Sequence, residues 1–89
     1  MLRLDVSDEA LKFFDGLDTK RFKQVVNKMF SLLSNPRSHD SELLSGLPYF
    51  RADIGEYRII YRFDSETLFV VLIGKRNDDE VYRNLGSRS

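Results

Sequence analysis

The first part of the chain combines a short alternating run with two stretches of helical periodicity. Residues 2–6 alternate apolar and polar side chains, which is typical of a half-buried strand. Ser7 follows as a candidate N-cap, and apolar side chains then recur at helical spacing over 10–17 and again over 22–33. An Asn-Pro pair at 35–36 ends the second stretch. The pattern predicts a strand followed by a helical hairpin.

The second part of the chain is dominated by strand-like runs. Residues 35–47 are polar and contain several serines, so we interpret them as a loop with room for a short turn at 42–44. Three runs follow at 49–54, 56–63 and 67–73, and the segments between them are short enough for hairpins. The third run is almost wholly apolar, which is typical of a central strand that is covered on both faces.

The order strand, helix, helix, strand, strand, strand predicts an α+β domain. We expect the N-terminal strand and the helical hairpin to pack on a small antiparallel sheet. The helical hairpin then covers one face of the sheet and leaves the other face free for function. With 89 residues in all, residues 1–85 are expected to form a single domain, and residues 86–89 a frayed tail.

The composition excludes several kinds of chemistry. The chain has no cysteine, which excludes disulfides, thiolate metal sites and a cysteine nucleophile, and its one histidine cannot supply both the acid and the base of a two-histidine nuclease. Fourteen basic and fourteen acidic residues give a formal net charge of zero, so phosphate binding would need a local cluster of cations. No stretch has the length of a membrane span and no secretory signal is visible, so the expected compartment is the cytoplasm, with no membrane partner.

The first predicted strand hairpin carries a candidate phosphate site. A two-residue loop at 54–55 would place Arg51 opposite Arg58 and Asp53 opposite Glu56. Like charges directly opposite each other destabilise a sheet, whereas a pair of guanidinium groups binds phosphate oxygens well. If the glycine instead lies in a bulge, the arginines come to lie diagonally beside the carboxylates, and ordinary cross-strand salt bridges are the interpretation.

A second group of candidates follows the third strand. Lys75 and Arg76 come directly after Gly74, so strand alternation does not decide which of the two side chains turns inward. Tyr82 is either a core tyrosine with a solvated hydroxyl or a residue that stacks on a base and helps to move a proton. His39 in the polar loop is expected to be a surface residue, and the acidic run 78–80 a solvated turn rather than a metal site.

Three stretches of the sequence are similar to a known superfamily. They are Leu-Ser-Gly-Leu-Pro at 44–48, Glu-Tyr-Arg-Ile-Ile-Tyr at 56–61, and Gly-Lys-Arg at 74–76 with Glu-Val-Tyr at 80–82. Together they resemble the RelE/ParE superfamily of bacterial and archaeal toxins, and within it the RelE branch of mRNA interferases. The tyrosine-arginine strand is shared across the superfamily, whereas the Gly-Lys-Arg run with Glu-Val-Tyr is more specific to RelE-like ribonucleases.

The resemblance implies a toxin of a type II toxin–antitoxin system. RelE-like toxins are endoribonucleases that cleave mRNA in the ribosomal A site without a metal or other cofactor. The ribose 2′-hydroxyl attacks the adjacent phosphate and leaves a 2′,3′-cyclic phosphate and a 5′-hydroxyl. The implied partners are a cognate antitoxin that wraps the toxin, the ribosome with its A-site mRNA, and operator DNA only through the antitoxin complex.

The resemblance also implies roles for individual residues. Arg58 matches the arginine that stabilises the phosphate in the transition state, and Arg76 the arginine that protonates or stabilises the leaving 5′-oxygen. Tyr82 matches the tyrosine that stacks on RNA, and Arg51 lies where the family often has a catalytic lysine. Further RNA or ribosome contacts are expected from nearby cations, namely Arg62, Lys75, Lys20, Arg21 and Lys23.

The sequence departs from the family pattern at two points, and two other functions stay open. A second lysine of well-known members is replaced here by Asp53, and the net charge is zero although the family is often strongly basic. Arg51 stays protonated near neutral pH and is therefore a poor general base. The alternatives are a ParE-like inhibitor of DNA gyrase, and a catalytically weak member that acts mainly through its antitoxin complex.

Overall fold

The computed structural model describes residues 1–76, and it places two helices on one face of a five-stranded sheet. No helix within this part of the chain is long and apolar enough to cross a membrane. The elements in chain order are β1 (Arg3–Val6), α1 (Asp8–Phe13), a 3₁₀ turn (Phe14–Gly16), α2 (Thr19–Ser34), β2 (Ser41–Leu43), β3 (Phe50–Ile54), β4 (Tyr57–Phe63) and β5 (Thr67–Lys75).

Both helices begin at a side-chain cap. The Ser7 hydroxyl accepts a hydrogen bond from the backbone N–H of Ala10 at 3.1 Å, which confirms the predicted N-cap of α1. Asp18 caps α2 by accepting from the backbone N–H of Arg21 at 2.8 Å. The helix ends at Ser34, before the Asn-Pro pair, as the sequence predicts. These caps fix where each helix starts and therefore which residues it turns toward the sheet.

The sheet has the strand order β1-β5-β4-β3-β2. Strands β3, β4 and β5 form the predicted antiparallel meander, with β5 between two neighbours. β1 pairs with β5 in parallel, so the sheet is mixed rather than wholly antiparallel. β2 was expected to be loop; it pairs with β3 at the sheet edge. A strand of three residues is too short to produce a recognisable alternation.

The main core lies between the helices and the sheet. Tyr61 is its largest fully buried side chain, and its hydroxyl donates a hydrogen bond to the carbonyl of Pro36 at 2.6 Å. The cluster joins residues from both helices to residues from the three meander strands, namely Ala10, Val25, Met29, Leu32, Leu33, Ala52, Tyr57, Ile59, Tyr61, Leu68, Val70 and Ile73.

A smaller apolar cluster lies on the opposite face of the sheet. Ile60, Val71 and Leu72 are buried there beneath side chains of the segment 44–49. A bulge makes this possible, because Val70 pairs with Tyr61 and Leu72 with Ile60, which leaves Val71 as the extra residue. The expectation that this face is entirely free was therefore wrong at its centre.

Candidate functional site

The hairpin between β3 and β4 has a different register from the one expected. The loop residues are Gly55 and Glu56, and Asp53 lies directly opposite Arg58. The predicted pairing of Arg51 with Arg58 is therefore wrong, as is that of Asp53 with Glu56. Gly55 has a φ of +58°, and glycine at the first loop position is what a two-residue type II′ hairpin requires. The register is set by this glycine, and it places opposite charges across the two strands.

Three arginines surround the Asp53 carboxylate, and we call Arg51, Arg58 and Arg76 the arginine cluster. Arg58 forms a fork with Asp53, with Nε 2.7 Å from Oδ1 and Nη2 3.2 Å from Oδ2. Arg51 Nη1 lies 3.1 Å from Oδ2, and Arg76 Nε lies 3.6 Å from the same oxygen. Residues from β3 and β4 and the residue directly after β5 thus meet at one carboxylate.

The members of the arginine cluster differ in how firmly they are held. The side chains of Arg58 and Asp53 are only 15% and 20% exposed, whereas that of Arg76 is 51% exposed.

Arg51 also forms an ion pair with Glu42 on β2, so the strand that the sequence did not predict supports the site. Glu42 is the residue that sequence reasoning missed, because its contact with Arg51 depends on that strand.

The charges of the arginine cluster are nearly balanced. Burial raises the pKa of Asp53, but the hydrogen bond and charge of Arg58, with the charges of Arg51 and Arg76, outweigh it and hold that pKa below the ordinary value. The carboxylate is therefore ionised at neutral pH. Among the described residues, the three guanidinium groups of the arginine cluster are paired with two carboxylates, those of Asp53 and Glu42. The group of five side chains therefore has an excess of one positive charge.

Lys75 and Arg76 point to opposite sides of the sheet. Lys75 pairs with Tyr57 in the β4–β5 ladder and lines an open cleft on the helical side, of about 580 Å³, together with Arg21 and Lys12. Arg76 joins the arginine cluster, and its backbone N–H donates to the carbonyl of Glu56 at 2.9 Å. Of the two consecutive cations, only Arg76 belongs to the candidate site.

The predicted contacts on α2 lie away from the arginine cluster. Arg21 forms ion pairs with Asp18 at 2.9 Å and with Glu56 at 3.6 Å. Lys20 lines a second cleft, which Arg21 also borders, and Lys23 is exposed on the helix. These cations form a separate surface on the helical side of the sheet.

Arg62 lies on the same strand face as Arg58, four residues further along β4. Its guanidinium carbon lies 4.1 Å from the ring centroid of Phe69, which is a cation–π contact. Four residues of strand span about 13 Å, so Arg62 is separate from the arginine cluster. It lines a shallow cleft of about 250 Å³ with Phe69, Tyr49 and Asp5.

The remaining sequence predictions concern residues outside the arginine cluster. Tyr82 and the acidic run 78–80 lie outside the described residues, as do the tail residues 86–89. His39 is exposed in the loop before β2, as the sequence predicts. The described part of the site therefore consists of Arg51, Arg58 and Arg76 around Asp53.

Comparison with known proteins identifies the family. A family model described as "ParE toxin of type II toxin-antitoxin system, parDE" matches residues 4–80. The chain belongs to the ParE toxin family. This toxin is accordingly a member of the RelE/ParE superfamily, which confirms the resemblance seen in the sequence. No curated protein matches it significantly.

Solved structures support the same fold for this toxin. A double arginine-to-alanine mutant of E. coli RelE in the free state is 25% identical, with a TM-score of 0.81 and coverage of 98% of this chain and 96% of that one. The isolated E. coli RelE toxin is 26% identical, with a TM-score of 0.73 and coverage of 99% and 98%. The RelBE2 toxin–antitoxin complex from Mycobacterium tuberculosis is 22% identical, with a TM-score of 0.74 and coverage of 84% and 98%, and shows the fold.

Proposed function

We propose that this toxin is an endoribonuclease that cleaves mRNA in the ribosomal A site. The observation that carries the proposal is the convergence of Arg51, Arg58 and Arg76 at one anionic position on the sheet face away from the helices. Guanidinium groups bind phosphate oxygens in the same forked geometry that Arg58 uses with Asp53. The structural similarity to E. coli RelE supports the choice of RNA cleavage.

The reaction proposed is an internal transfer at phosphorus. The 2′-oxygen forms a bond to phosphorus, the bond from phosphorus to the 5′-oxygen breaks, and the 2′-hydroxyl loses its proton while the 5′-oxygen gains one. The products are a 2′,3′-cyclic phosphate and a 5′-hydroxyl. Arg58 and Arg51 stabilise the charge that develops on the phosphate oxygens. The half-exposed Arg76 stabilises or protonates the leaving oxygen, and Tyr82 stacks on the RNA and takes part in proton transfer.

We further propose that the ribosome supplies part of the catalysis. Among the described residues, the arginine cluster together with Asp53 and Glu42 has an excess of one positive charge, which gives weak attraction for free RNA. A ribosome that holds the message in place orients the 2′-hydroxyl for attack, and this lowers the entropic barrier. The toxin then works in the cytoplasm and is slow on free RNA. Its inhibitor is an antitoxin, as in the RelBE complexes, with an acidic segment that neutralises the arginines.

Two alternative functions have support of their own. The family model that matches the chain is that of the ParE toxin, which favours inhibition of DNA gyrase. The carboxylate of Asp53 inside the arginine cluster favours a catalytically weak member that acts through its antitoxin complex. Expression in cells distinguishes gyrase inhibition from mRNA cleavage, because a gyrase inhibitor triggers DNA damage whereas a nuclease of this kind stops protein synthesis.

The test is cleavage of a defined message in purified ribosomes with an empty A site, beside the same message without ribosomes. Cuts at the A-site codon that need the ribosome would support the proposal. Absence of cuts from folded, antitoxin-free toxin would contradict it and favour gyrase inhibition or a binding role.

A further inference from the structure

We propose that Asp53 is an internal counter-anion, which occupies the phosphate position of the arginine cluster and must be displaced before RNA binds there. The inference rests on the proposed function, since it takes an RNA phosphodiester as the ligand. Asp53 would then lower the affinity of the arginine cluster for phosphate in every folded molecule. It is also a residue at which the sequence departs from the family pattern.

The first argument is that the carboxylate and a phosphate need the same donors. Two nitrogens of Arg58 are committed to the two oxygens of Asp53, at 2.7 Å and 3.2 Å. Arg51 and Arg76 direct nitrogens to Oδ2 of the same carboxylate. A phosphate held by these guanidinium groups would take over the bonds that Asp53 now accepts. Binding is therefore an exchange of one anion for another.

The second argument comes from burial. An exposed ion pair is screened by water and contributes little, whereas Asp53 and Arg58 are both mostly buried and hold each other in a forked geometry. Arg76 differs, because its side chain is half exposed and its ion pair with Asp53 is long. An incoming phosphate would reach Arg76 first and then compete with Asp53 for Arg58.

The third argument is the position of Asp53 in the sheet. It lies directly opposite Arg58 in the β3–β4 ladder, so its backbone is fixed and its carboxylate stays near the cluster. Displacement thus means rotation of the side chain by a short distance. The carboxylate remains close enough to repel a bound phosphate, and this repulsion lowers the affinity.

The first test compares binding of a short 2′-O-methyl RNA, which has no 2′-hydroxyl to attack, to the wild type and to Asp53→Asn. We expect the variant to bind about tenfold more tightly, which corresponds to 1.4 kcal/mol. The affinity should also fall more steeply with salt, by about 0.7 in slope, because removal of the carboxylate leaves one more positive charge to neutralise a phosphate. Unchanged or weaker binding of the folded variant would overturn the proposal, since it would assign Asp53 a positioning role only.

The control is Glu66→Gln, which makes the same change in charge. Glu66 forms an exposed ion pair with Arg3 at 3.4 Å, on the β1–β5 side of the sheet. This variant should bind the RNA like the wild type. Asp53→Glu keeps the carboxylate and should restore weak binding. Equal gains from the substitutions at 53 and 66 would reduce the effect to net charge and would contradict the proposal.

A second measurement uses only the wild type and does not depend on the variants folding. Inorganic phosphate is titrated while NMR follows the Asp53 carboxyl carbon and the Arg58 Nε–H. The two signals should shift together, with the same apparent affinity, because phosphate breaks their contact. A shift of the arginine signal with no change at the carboxyl carbon would overturn the counter-anion role.

Failure of this inference is distinguishable from failure of the proposed function. If the wild type does not cut mRNA on ribosomes while Asp53→Asn still binds RNA more tightly, the counter-anion stands and the nuclease proposal fails. If the wild type cuts and the binding of Asp53→Asn is unchanged, the nuclease proposal stands and the counter-anion fails.

Discussion

Arg58 and Arg76 contribute to one cluster from different environments. Arg58 is held in a mostly buried fork with Asp53, so it is oriented before any ligand arrives. Arg76 is half exposed, and within residues 1–76 its side chain also donates a long hydrogen bond of 3.4 Å from Nη1 to the carbonyl of Gly55. A fixed donor and an adaptable donor suit a reaction in which charge moves from the phosphate oxygens to the leaving group.

Replacement of Arg76 tests the site without disturbing the fold. We expect Arg76→Ala to lower single-turnover cleavage on ribosomes at least about tenfold, or roughly 1.4 kcal/mol. Its melting temperature should stay near that of the wild type, because the side chain is half exposed and its ion pair is long. Arg3→Ala removes a more exposed arginine, whose side chain is 77% exposed, from its pair with Glu66 and should leave cleavage unchanged. Equal cleavage by both variants would remove Arg76 from the proposed mechanism.

The ion pair between Lys28 and Asp40 makes the stability of the fold depend on pH. Hydrogen bonds from Lys28 and Ser38 lower the pKa of Asp40 from 3.8 to about 2. Because the folded pKa lies below the unfolded one, this contribution is present above about pH 4 and is lost as the pH falls toward 2. The Asp40 side chain is partly exposed, so we expect less than about 1 kcal/mol.

The measurement is the free energy of unfolding against pH for the wild type and Asp40→Asn. The wild type should be more stable at pH 6, and the difference should shrink as the pH approaches 2. A difference that is constant with pH would show that the Asp40 ionisation does not stabilise the fold.

At the scale of elements, the β3–β4 hairpin determines the site. Gly55 has a φ of +58°, and a Cβ there would lie 2.9 Å from Nε2 of Gln24. A side chain at this position thus meets both backbone strain and a close contact. The hairpin register that places Asp53 opposite Arg58 depends on this turn.

We expect Gly55→Ala to destabilise the toxin by about 1–2 kcal/mol, because an L-residue is strained in the left-handed region. Chemical denaturation measures the loss. Gly16→Ala is the matched control, since a Cβ at Gly16 meets nothing within 4 Å and its φ lies outside that region. Equal stability of the two variants would mean that the turn tolerates a side chain and can shift its register.

The same elements show what the sequence could predict. Long periodic segments such as α2 and the apolar β5 were recognisable, because their patterns repeat over many residues. β2 was not, because three residues at an edge carry too little pattern. The predicted register of the β3–β4 hairpin was wrong because the prediction used residues 54–55 as the loop. A loop that begins with Gly55 gives the observed register. The structure was therefore needed to show which arginines contact Asp53.

At the scale of the whole molecule, one core joins the helices to the sheet and a smaller one supports the opposite face. Leu32 of α2 is fully buried in the main core, together with residues of β3, β4 and β5. The small cluster packs Ile60, Val71 and Leu72 against side chains of the segment 44–49 on the sheet face that carries the arginine cluster. The sheet is shared by both clusters, so loss of packing on the helical side also affects the site.

Stability of the whole toxin should therefore depend on the packing between α2 and the sheet. We expect Leu32→Ala to cost about 2–5 kcal/mol, through lost burial and the cavity that remains. A domain of 89 residues has a total of about 4–13 kcal/mol, so this loss is a large part of the margin. Chemical denaturation checks it against Leu43→Ala, whose side chain is mostly exposed on β2 and should change stability by less than about 0.5 kcal/mol. A loss at Leu32 no larger than that at Leu43 would mean that α2 does not hold the sheet in place.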